Sequence, residues 1–351
     1  MRDIAIISLG QTDHTRRRTD VNEVEMLMPV LASALDGAGI AKDRVDFVCS
    51  GSSDYLAGQA FSFVTTLDGF GPWPPISESH VDMDGAWALY EAWVKMQTGH
   101  ADISLIYAYS KSSPGEIRRV MSRQMDPYYT QPLWADPVSL AAIQARTGLD
   151  AGTFTEEQMA EVVAASRRNA KANPHAQLSG DAEAKTLLDE DYFVSPLHKH
   201  DCPPITDGAA AVILAAGDVA RELSDRPAWI RGIDHRIEPN ALGVRDLTTS
   251  VSTKQAAEKA GVANGKVDVA ELHAPFSHQE IILRQSLGLG DDVSINPSGG
   301  ALAANPIMTA GLIRLGEAAA RITSGEADRA IGHATSGVCL QQNLVCVLEG
   351  E

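Results

Sequence analysis

The stretch Asn296-Pro-Ser-Gly-Gly-Ala-Leu-Ala-Ala-Asn-Pro-Ile-Met-Thr-Ala-Gly311 is the most informative part of this chain. The apolar residues just before it, Val293–Ile295, predict the end of a strand. The glycine pair and the Asn305-Pro306 step then predict a tight turn whose backbone comes close to a ligand. The small residues that follow predict the start of a helix. The sequence therefore predicts a strand, a binding loop and a helix in that order.

Strands and helices alternate on both sides of this stretch. The first part of the chain predicts strands at Ile4–Leu9, Val45–Ser50, Ile103–Ala108 and Asp207–Ala215, with helices at Val24–Ala38 and Trp87–Gln97. The second part predicts strands at Ala228–Ile233, Val267–Leu272, Val293–Ile295, Arg329–His333 and Leu344–Leu348, with helices at Ser252–Ala260, Ser277–Leu287 and Thr309–Thr323. This alternation predicts an α/β protein with a mostly parallel sheet and two similar halves, as in an internal duplication.

We place the two halves at residues 1–225 and 226–351. Within the first half, residues 113–195 break the alternation with Pro114, Pro127, Pro132 and Pro137 and the pair Tyr128-Tyr129. Helical patterns return there only near residues 136–147 and 155–172. We interpret 113–195 as an excursion that covers a site.

Bulk composition excludes several classes of function. The net charge of −17 argues against nucleic acid and against anionic membrane surfaces. The four cysteines show no metal-binding spacing, so we expect reduced thiols in a cytoplasmic protein and no metal or cofactor held by this chain. The first residues, from Met1, lack the layout of a signal peptide, and no apolar run has transmembrane length.

Several signatures, in chain order, resemble those of the thiolase superfamily. The opening stretch is similar to the thiolase loop N-x-x-G-G-x-x-x-x-G-H-P-x-G-A-x-G. Ile7–Thr12, Asp201–Ala211 and Glu271–Phe276 resemble the first strand, the D-C-x-x-x-x-D-G-A-A-A signature and the L-H-D-C-F signature of the sterol-carrier-protein-type branch. The resemblance implies a thiolase fold, five-layered α-β-α-β-α, built from two duplicated halves. It also implies a homodimer that acts on acyl-CoA in lipid metabolism.

The catalytic groups of a thiolase are missing from the matching positions. Alignment on the helix motif C-A-S-G-x-x-A-L puts Asp82 where the nucleophilic cysteine belongs. Pro275 replaces the second cysteine, and Asn305 replaces the activating histidine. The resemblance therefore implies that this chain forms no acyl-cysteine at the usual place.

The remaining polar residues predict a different set of catalytic groups. By position in the motifs, we expect His273 and Asn305 to donate hydrogen bonds to a thioester oxygen, and His333 to donate a proton. We expect Asp82 to be partly desolvated and to act as a base, as a nearby histidine could also do.

Other residues are candidates for substrate binding or for structure. The substrate-binding candidates are His80, Asp84, His278, Gly299, Gly300, Tyr128 and Arg118. For Asp82 and Asp84 the alternative is a helix cap. For the histidines the alternative is a hydrogen-bonded core position, and for Arg118 and Tyr128 it is ordinary surface and packing.

Three functions fit this residue set. The first is retro-aldol cleavage of a β-hydroxyacyl-CoA, as in the steroid side-chain-cleaving aldolases that the chain resembles, with coenzyme A present only as part of the substrate. That resemblance also implies a small partner subunit with a zinc ribbon and an OB-fold. The second is a thiolase or other acyltransferase with displaced residues, such as Cys339. The third is a non-catalytic scaffold that binds acyl-CoA.

Overall fold

Ten of the twelve strands form one continuous sheet. The computed structural model describes residues 1–351. The strands, in chain order, are β1 Ile4–Gln11, β2 Phe47–Gly51, β3 Ser77–Val81, β4 Ile103–Ser110, β5 Tyr192–Val194, β6 Leu197–His198, β7 Gly208–Ala216, β8 Ala228–Ile237, β9 Val269–Leu272, β10 Ser294–Ile295, β11 Arg329–Ser336 and β12 Gln342–Glu349. The large sheet has the order β10-β9-β11-β12-β8-β1-β7-β4-β2-β3, and β5 and β6 form a separate hairpin.

Twelve α-helices accompany these strands. In chain order they are α1 Glu23–Gly37, α2 Asp54–Ala57, α3 Ser62–Phe70, α4 Gly85–Gln97, α5 Ile117–Arg123, α6 Pro137–Asp150, α7 Glu156–Asn169, α8 Ala184–Leu187, α9 Gly217–Leu223, α10 Val251–Ala260, α11 Ser277–Leu287 and α12 Ala310–Thr323. None of them is long and apolar enough to cross a lipid bilayer.

The strand order shows the duplication directly. The first five strands of the sheet in chain order lie as β3-β2-β4-β7-β1, and the last five lie as β10-β9-β11-β12-β8. In each set, read in this order, the first two pairs of adjacent strands are parallel and the last two pairs are antiparallel. The two sets are joined by the short antiparallel contact of β1 with β8 at Ala5–Trp229 and Ile6–Ala228. Each half therefore uses the same topology. The prediction of a mostly parallel sheet is wrong, because five of the nine neighbouring strand pairs are antiparallel.

Helices and sheet alternate as five layers. Helices α4 and α12 lie in the middle, where their apolar faces share one core with strands of both halves. Helix α1 covers the outer face of the first half, and α10 and α11 cover the outer face of the second half. The α-β-α-β-α arrangement predicted for the chain is therefore present.

Residues 113–195 pack mainly on the second half. Helix α7 contacts α11, and residues of α6 share the apolar core beneath α10 and α11. Helix α6 begins at the Asp136 cap, whose side chain accepts hydrogen bonds from Val138 and Ser139. The segment thus reaches across from one half to the other.

The sequence did not reveal β3, α2 or α3. Strand β3 reads Ser-Glu-Ser-His-Val, because it is an edge strand with a partly exposed face and needs no apolar alternation. Helix α3 contains two threonines and a glycine, which weaken the helical pattern. These elements are defined by packing rather than by their own composition.

Replacing Gly232 with alanine should destabilise the protein. A Cβ at this position in β8 would collide with the backbone of Ala260 at the end of α10. We expect a loss of about 1–3 kcal/mol in the free energy of unfolding, measured by chemical denaturation. Gly243→Ala is the matched control, because nothing lies within 4 Å of a Cβ there. Equal stability of the two variants would contradict this packing.

Candidate functional site

The first turns of α4 and α12 meet at one edge of the sheet. The turn after β3 carries Asp82 and Met83, and the loop before α12 carries Asn305 and Met308. The Gly85 amide donates to the Met308 carbonyl at 2.9 Å, so the two segments touch. Residues of both halves therefore line a single candidate site.

Asp82 lies at the open side of this site. Its side chain is exposed and makes no hydrogen bond or ion pair within the chain. The desolvation expected from the sequence is absent, because the turn follows an edge strand and nothing in this chain covers it. Asp82 is thus a carboxylate in contact with solvent at the mouth of the site.

Asp84, two residues later, has the opposite environment. It is 2% exposed and accepts hydrogen bonds from the backbone amides of Ala86, Gly311 and Leu312. Burial raises the pKa of Asp84 to about 6, although the three amide donors act in the opposite direction. The carboxylate is fully engaged, so the structure gives it a capping environment and leaves no face of it toward a substrate.

His273 and Asn305 form a buried pair. The His273 Nε2 lies 3.2 Å from Asn305 Oδ1, and the Thr335 amide donates to His273 Nδ1 at 3.4 Å. These contacts assign the proton to Nε2, which donates to Asn305. Burial lowers the pKa of His273 to about 3, and nearby His333 and Arg314 act in the same direction. His273 is therefore a neutral donor, and the Asn305 amide nitrogen has no partner within the chain.

A buried ion pair supports the loop behind this pair. Arg314 of α12 contacts Glu271 of β9 at 2.7 Å, and both side chains are almost completely buried. Glu271 also accepts from the amide and hydroxyl of Ser298, and Arg314 bonds the same hydroxyl. This network fixes the Gly-rich loop against β9. It also keeps a positive charge near His273.

His333 lies on the other face of the sheet. Its Nε2 is 3.0 Å from Asn343 Oδ1, and Asn343 in turn donates to Ser250 and Ser252 at the start of α10. Burial lowers the pKa of His333 to about 4, and its Nδ1 has no partner. His333 lies beside His273, whose backbone amide donates to the His333 carbonyl at 3.3 Å, but no side-chain hydrogen bond joins His333 to Asp82 or Asn305.

The Gly-rich turn approaches protein rather than a ligand. Gly299 and Gly300 have φ values of +97° and +67°, which favour glycine. A Cβ on Gly299 would lie 2.7 Å from the Ala170 Cβ, and the Gly299 carbonyl accepts from Ser166 of α7. Both glycines are buried. The close contact of Gly299 is therefore with Ala170, just after α7, and that of Gly300 is with the Asn296 side chain of the same loop.

His80 and His278 have different surroundings. His80 is half-buried, its ring stacks on Phe63, and its Nδ1 lies 2.9 Å from Ser50 Oγ. Burial lowers the pKa of His80, and the nearby charge of Asp82 acts in the opposite direction. His278 is fully buried between α6 and α11, where it bonds Gln144. Only His80 lies near the mouth of the site.

Arg118 and Tyr128 lie on the covering segment. Arg118 pairs with Asp136 at 2.5 Å and stacks over the ring of Phe193. Tyr128 is 82% exposed, and its side chain makes no hydrogen bond to the site. In this chain alone, neither side chain reaches Asp82 or Asn305 by a direct contact.

No cysteine is placed to replace the missing nucleophile. Cys49 and Cys346 are buried within strands. Cys339 is buried with its sulfur near the Leu140 carbonyl, and burial raises its pKa to about 12. Burial also raises the pKa of Cys202 to about 12. All four thiols are therefore poor nucleophiles in this fold.

Sequence reasoning missed several residues of the site. The Thr206 hydroxyl accepts a hydrogen bond from the backbone N–H of Asn305 at 3.1 Å, and the backbone N–H of Thr335 donates to His273. The side-chain nitrogen of Gln342 lies 3.8 Å from the Met83 sulfur. Thr206 follows the Asp201-Cys-Pro-Pro run, and Gln342 opens the last strand, so motif position could have drawn attention to both. A cavity of about 270 Å³ lies elsewhere, between β1, residues 172–175 and the second half of α12.

Comparisons with known proteins agree with the fold. The chain is 27% identical over 345 residues to an acetyl-CoA acetyltransferase of Methanothermobacter thermautotrophicus, covering 90% of each chain. It is 26% identical over 252 residues to the 17-hydroxy-3-oxo-4-pregnene-20-carboxyl-CoA lyase of Mycobacterium tuberculosis, covering 67% of this chain and 63% of the lyase. No protein-family model matches the chain.

Solved structures extend the similarity to the whole chain. The Ltp2-ChsH2(DUF35) aldolase superposes with a TM-score of 0.81 at 19% identity, over 99% of this chain and 98% of that one. Human mitochondrial 3-ketoacyl-CoA thiolase superposes with a TM-score of 0.78 at 15% identity, over 100% and 99%. The resemblance to the thiolase superfamily is therefore confirmed, and the fold is that of a thiolase.

Replacing His278 with glutamine should change how stability depends on pH. Burial lowers the pKa of His278 from 6.5 to about 3, so its contribution to stability is present above pH 6.5 and is lost as the pH falls toward 3. The free energy of unfolding of the wild type, minus that of the variant, should fall by up to about 1.4 kcal/mol per pH unit over that range.

The measurement is chemical denaturation at several pH values. His100→Gln is the control, because His100 is exposed. The pH dependence of the stability difference for His278→Gln is read against that for this control. A constant difference for His278→Gln would contradict its burial as a neutral ring.

Proposed function

We propose that this thiolase-fold chain cleaves the Cα–Cβ bond of a β-hydroxyacyl-CoA by a retro-aldol reaction, without an acyl-enzyme. One observation carries the proposal. The turn before α4 presents the Asp82 carboxylate instead of a thiol, and the loop before α12, which touches that turn, carries Asn305 with its oxygen held by the neutral His273. A carboxylate and a free side-chain amide N–H suit proton transfer and enolate stabilisation, and neither needs a nucleophile.

The proposed reaction balances without an external oxidant or reductant. Asp82 takes the proton of the β-hydroxyl, with His80 beside it as the second candidate base. The oxygen forms a carbonyl, the Cα–Cβ bond breaks, and its electron pair becomes the enolate of the shortened acyl-CoA. The Asn305 amide nitrogen donates to the enolate oxygen, held in place by His273. Protonation of Cα then releases a ketone or aldehyde and the acyl-CoA.

The proton donor to Cα is best sought among the groups at the mouth of the site. His333 was expected to fill it, but its ring faces α10 and its hydrogen bond is with Asn343. The protonated Asp82 that forms in the first step lies in the site itself. We therefore propose that Asp82 returns the proton, so that one group serves as base and then as acid.

We propose that the covering segment, residues 113–195, binds the coenzyme A part of the substrate. Helix α5 carries Arg118, Arg119 and Arg123, on a chain with a net charge of −17. Arg118 is held by Asp136, and Tyr128 lies exposed on the loop that follows. Guanidinium groups and an exposed ring suit phosphates and a base.

An acyltransferase is the second candidate. It is favoured by the relatives named as acetyl-CoA acetyltransferases, which match 90% of the chain. The buried thiols argue against it, since burial raises the pKa of Cys339 to about 12. A scaffold that binds acyl-CoA without reacting is the third.

We expect lyase activity that depends on Asn305 and Asp82. The protein should be purified from its native cells, so that any partner stays with it, and mixed with 17-hydroxy-3-oxo-4-pregnene-20-carboxyl-CoA as probe. Release of a ketosteroid should fall by about 10²-fold or more in Asn305→Ala and Asp82→Asn, as the loss of a transition-state donor or a positioned base predicts. His100→Gln, on the exposed surface, is the control.

Mass spectrometry of the intact protein separates the candidates. The lyase proposal predicts an unchanged protein mass after incubation with acetyl-CoA or the probe. An acetyl group on any cysteine would favour the acyltransferase. An unchanged mass with no cleavage of the probe, together with tight binding of it, would favour the scaffold.

We also propose a homodimer in the cytoplasm that pairs with a small subunit carrying a zinc ribbon and an OB-fold, where any zinc would be held. The similar aldolase structure, named Ltp2-ChsH2(DUF35), supports the partner. Edge strand β3 has an unpaired side, and Tyr55, Phe61, Val64 and Trp73 are exposed in the segment that leads to it. Exposed apolar side chains beside a free strand edge suit an interface between two copies.

Light scattering should give the purified chain twice its mass of 37.4 kDa. Val64→Glu should shift the protein toward the monomer, because it places a charge in the apolar contact. Val251→Glu, on α10 of the other half, is the matched control and should leave the mass unchanged. A wild-type monomer at micromolar concentration would contradict the dimer.

A further inference from the structure

The Asp84 side chain joins the two central helices at their first turns. Its carboxylate accepts from the Ala86 amide of α4 at 2.8 Å. It also accepts from the Gly311 amide at 2.8 Å and from the Leu312 amide at 3.0 Å, both at the start of α12. One side chain therefore caps a helix of its own half and a helix of the other half.

Helix α12 has no cap of its own. Thr309 is at its N-cap position, yet the threonine side chain makes no capping hydrogen bond and its hydroxyl is buried without a partner. The first amides of a helix need acceptors, and here Asp84 supplies them from a distant part of the chain. The cap of α12 is thus provided across the interface between the halves.

The space around the carboxylate leaves it little freedom. A Cβ on Gly311 would lie 2.6 Å from Asp84 Oδ1, and a Cβ on Gly85 would lie 2.7 Å from the Ala108 Cβ. Only glycine fits at these two positions while the helices keep this distance. The carboxylate is therefore locked between the two helix starts.

We infer that Asp84 is a positioning residue, which fixes the Asn305–Met308 loop relative to the Asp82–Met83 turn through its bonds to both central helices. The inference rests on the proposed function in that these two segments carry the proposed donor and base. The segments lie directly before α12 and α4, and Gly85 bonds Met308. Any shift of one helix start would move Asn305 relative to Asp82.

Two variants weaken the contact by different amounts, and a third serves as control. Asp84→Asn keeps an oxygen for the Ala86 and Leu312 amides but turns a donor toward Gly311. Asp84→Ser can still cap α4, since serine is a good N-cap residue, but it is too short to reach α12. Asn22→Ala is the control, because Asn22 caps only α1, on the outer layer.

Hydrogen exchange tests the positioning independently of any activity. Asp84→Ser should raise the exchange rates of the amides in residues 305–312 by about tenfold or more, as the loss of charge-assisted bonds predicts, with Asp84→Asn in between. The amides at the start of α4 should stay close to wild type in Asp84→Ser. Unchanged exchange in 305–312 would overturn the inference.

Kinetics with the steroid probe give the second readout. For folded protein, kcat should fall in the order wild type, Asp84→Asn, Asp84→Ser with little change in KM, while Asn22→Ala lowers the melting temperature and leaves kcat unchanged. A fall in kcat for Asn22→Ala matching that for Asp84→Ser would show a role in stability alone. If the wild type does not cleave the probe, the proposed function fails, and the exchange result still decides the role of Asp84.

Discussion

One buried carboxylate connects the two halves of this protein at the site. The partial positive charges of two helix N-termini converge on Asp84, and three backbone amides donate to it. Without such an acceptor, the first amides of both helices would be buried without partners, at a cost comparable to lost hydrogen bonds. The arrangement brings the segment that carries Asp82 in one half against the segment that carries Asn305 in the other, through the bond from Gly85 to Met308, so the candidate site depends on the meeting of the halves.

The electrostatics of the site favour hydrogen-bond donors over proton carriers. Arg314 is paired with Glu271 inside the protein, and its charge together with burial keeps His273 neutral. The four thiols are also held in their neutral form by burial, which raises the pKa of each. Asp82 is the exposed carboxylate at the site. Enolate chemistry, as proposed above, needs hydrogen-bond donors and a base, and it needs no thiolate.

The loop after β11 shows how the rest of the site is held. Cys339 and Leu340 have φ values of +55° and +57°, in the left-handed region that non-glycine residues rarely adopt. Arg245 donates to the carbonyls of Val338 and Cys339, and Gln144 of the covering segment donates to Cys339 as well. These bonds stabilise the strained turn, and β12 then begins with Gln342 beside Met83. Contacts from distant segments thus determine a local conformation that the loop sequence alone disfavours.

The sequence by itself determined the class of fold and most helices and strands of the core, and it suggested the duplication that the strand order then showed. Buried elements such as α12 and β4 carry strong apolar patterns, because each has to cover or fill a core. Edge strand β3 was not predicted from the sequence, since its partly exposed face needs no such pattern. The motif positions of Asp82, His273 and Asn305 were also visible from the sequence.

Only the tertiary structure decided the burial and the hydrogen-bond partners of the residues at those positions. Asp82 and Asp84 are two carboxylates in one turn, and which of them is buried depends on α12, whose capped amide at Gly311 lies 227 positions away in the chain. His333 turns toward α10 and the Gly-rich turn packs on α7, although motif order places both in the site. The physical reason is that side-chain burial and hydrogen bonding are set by neighbours in space, while a single sequence records only neighbours along the chain.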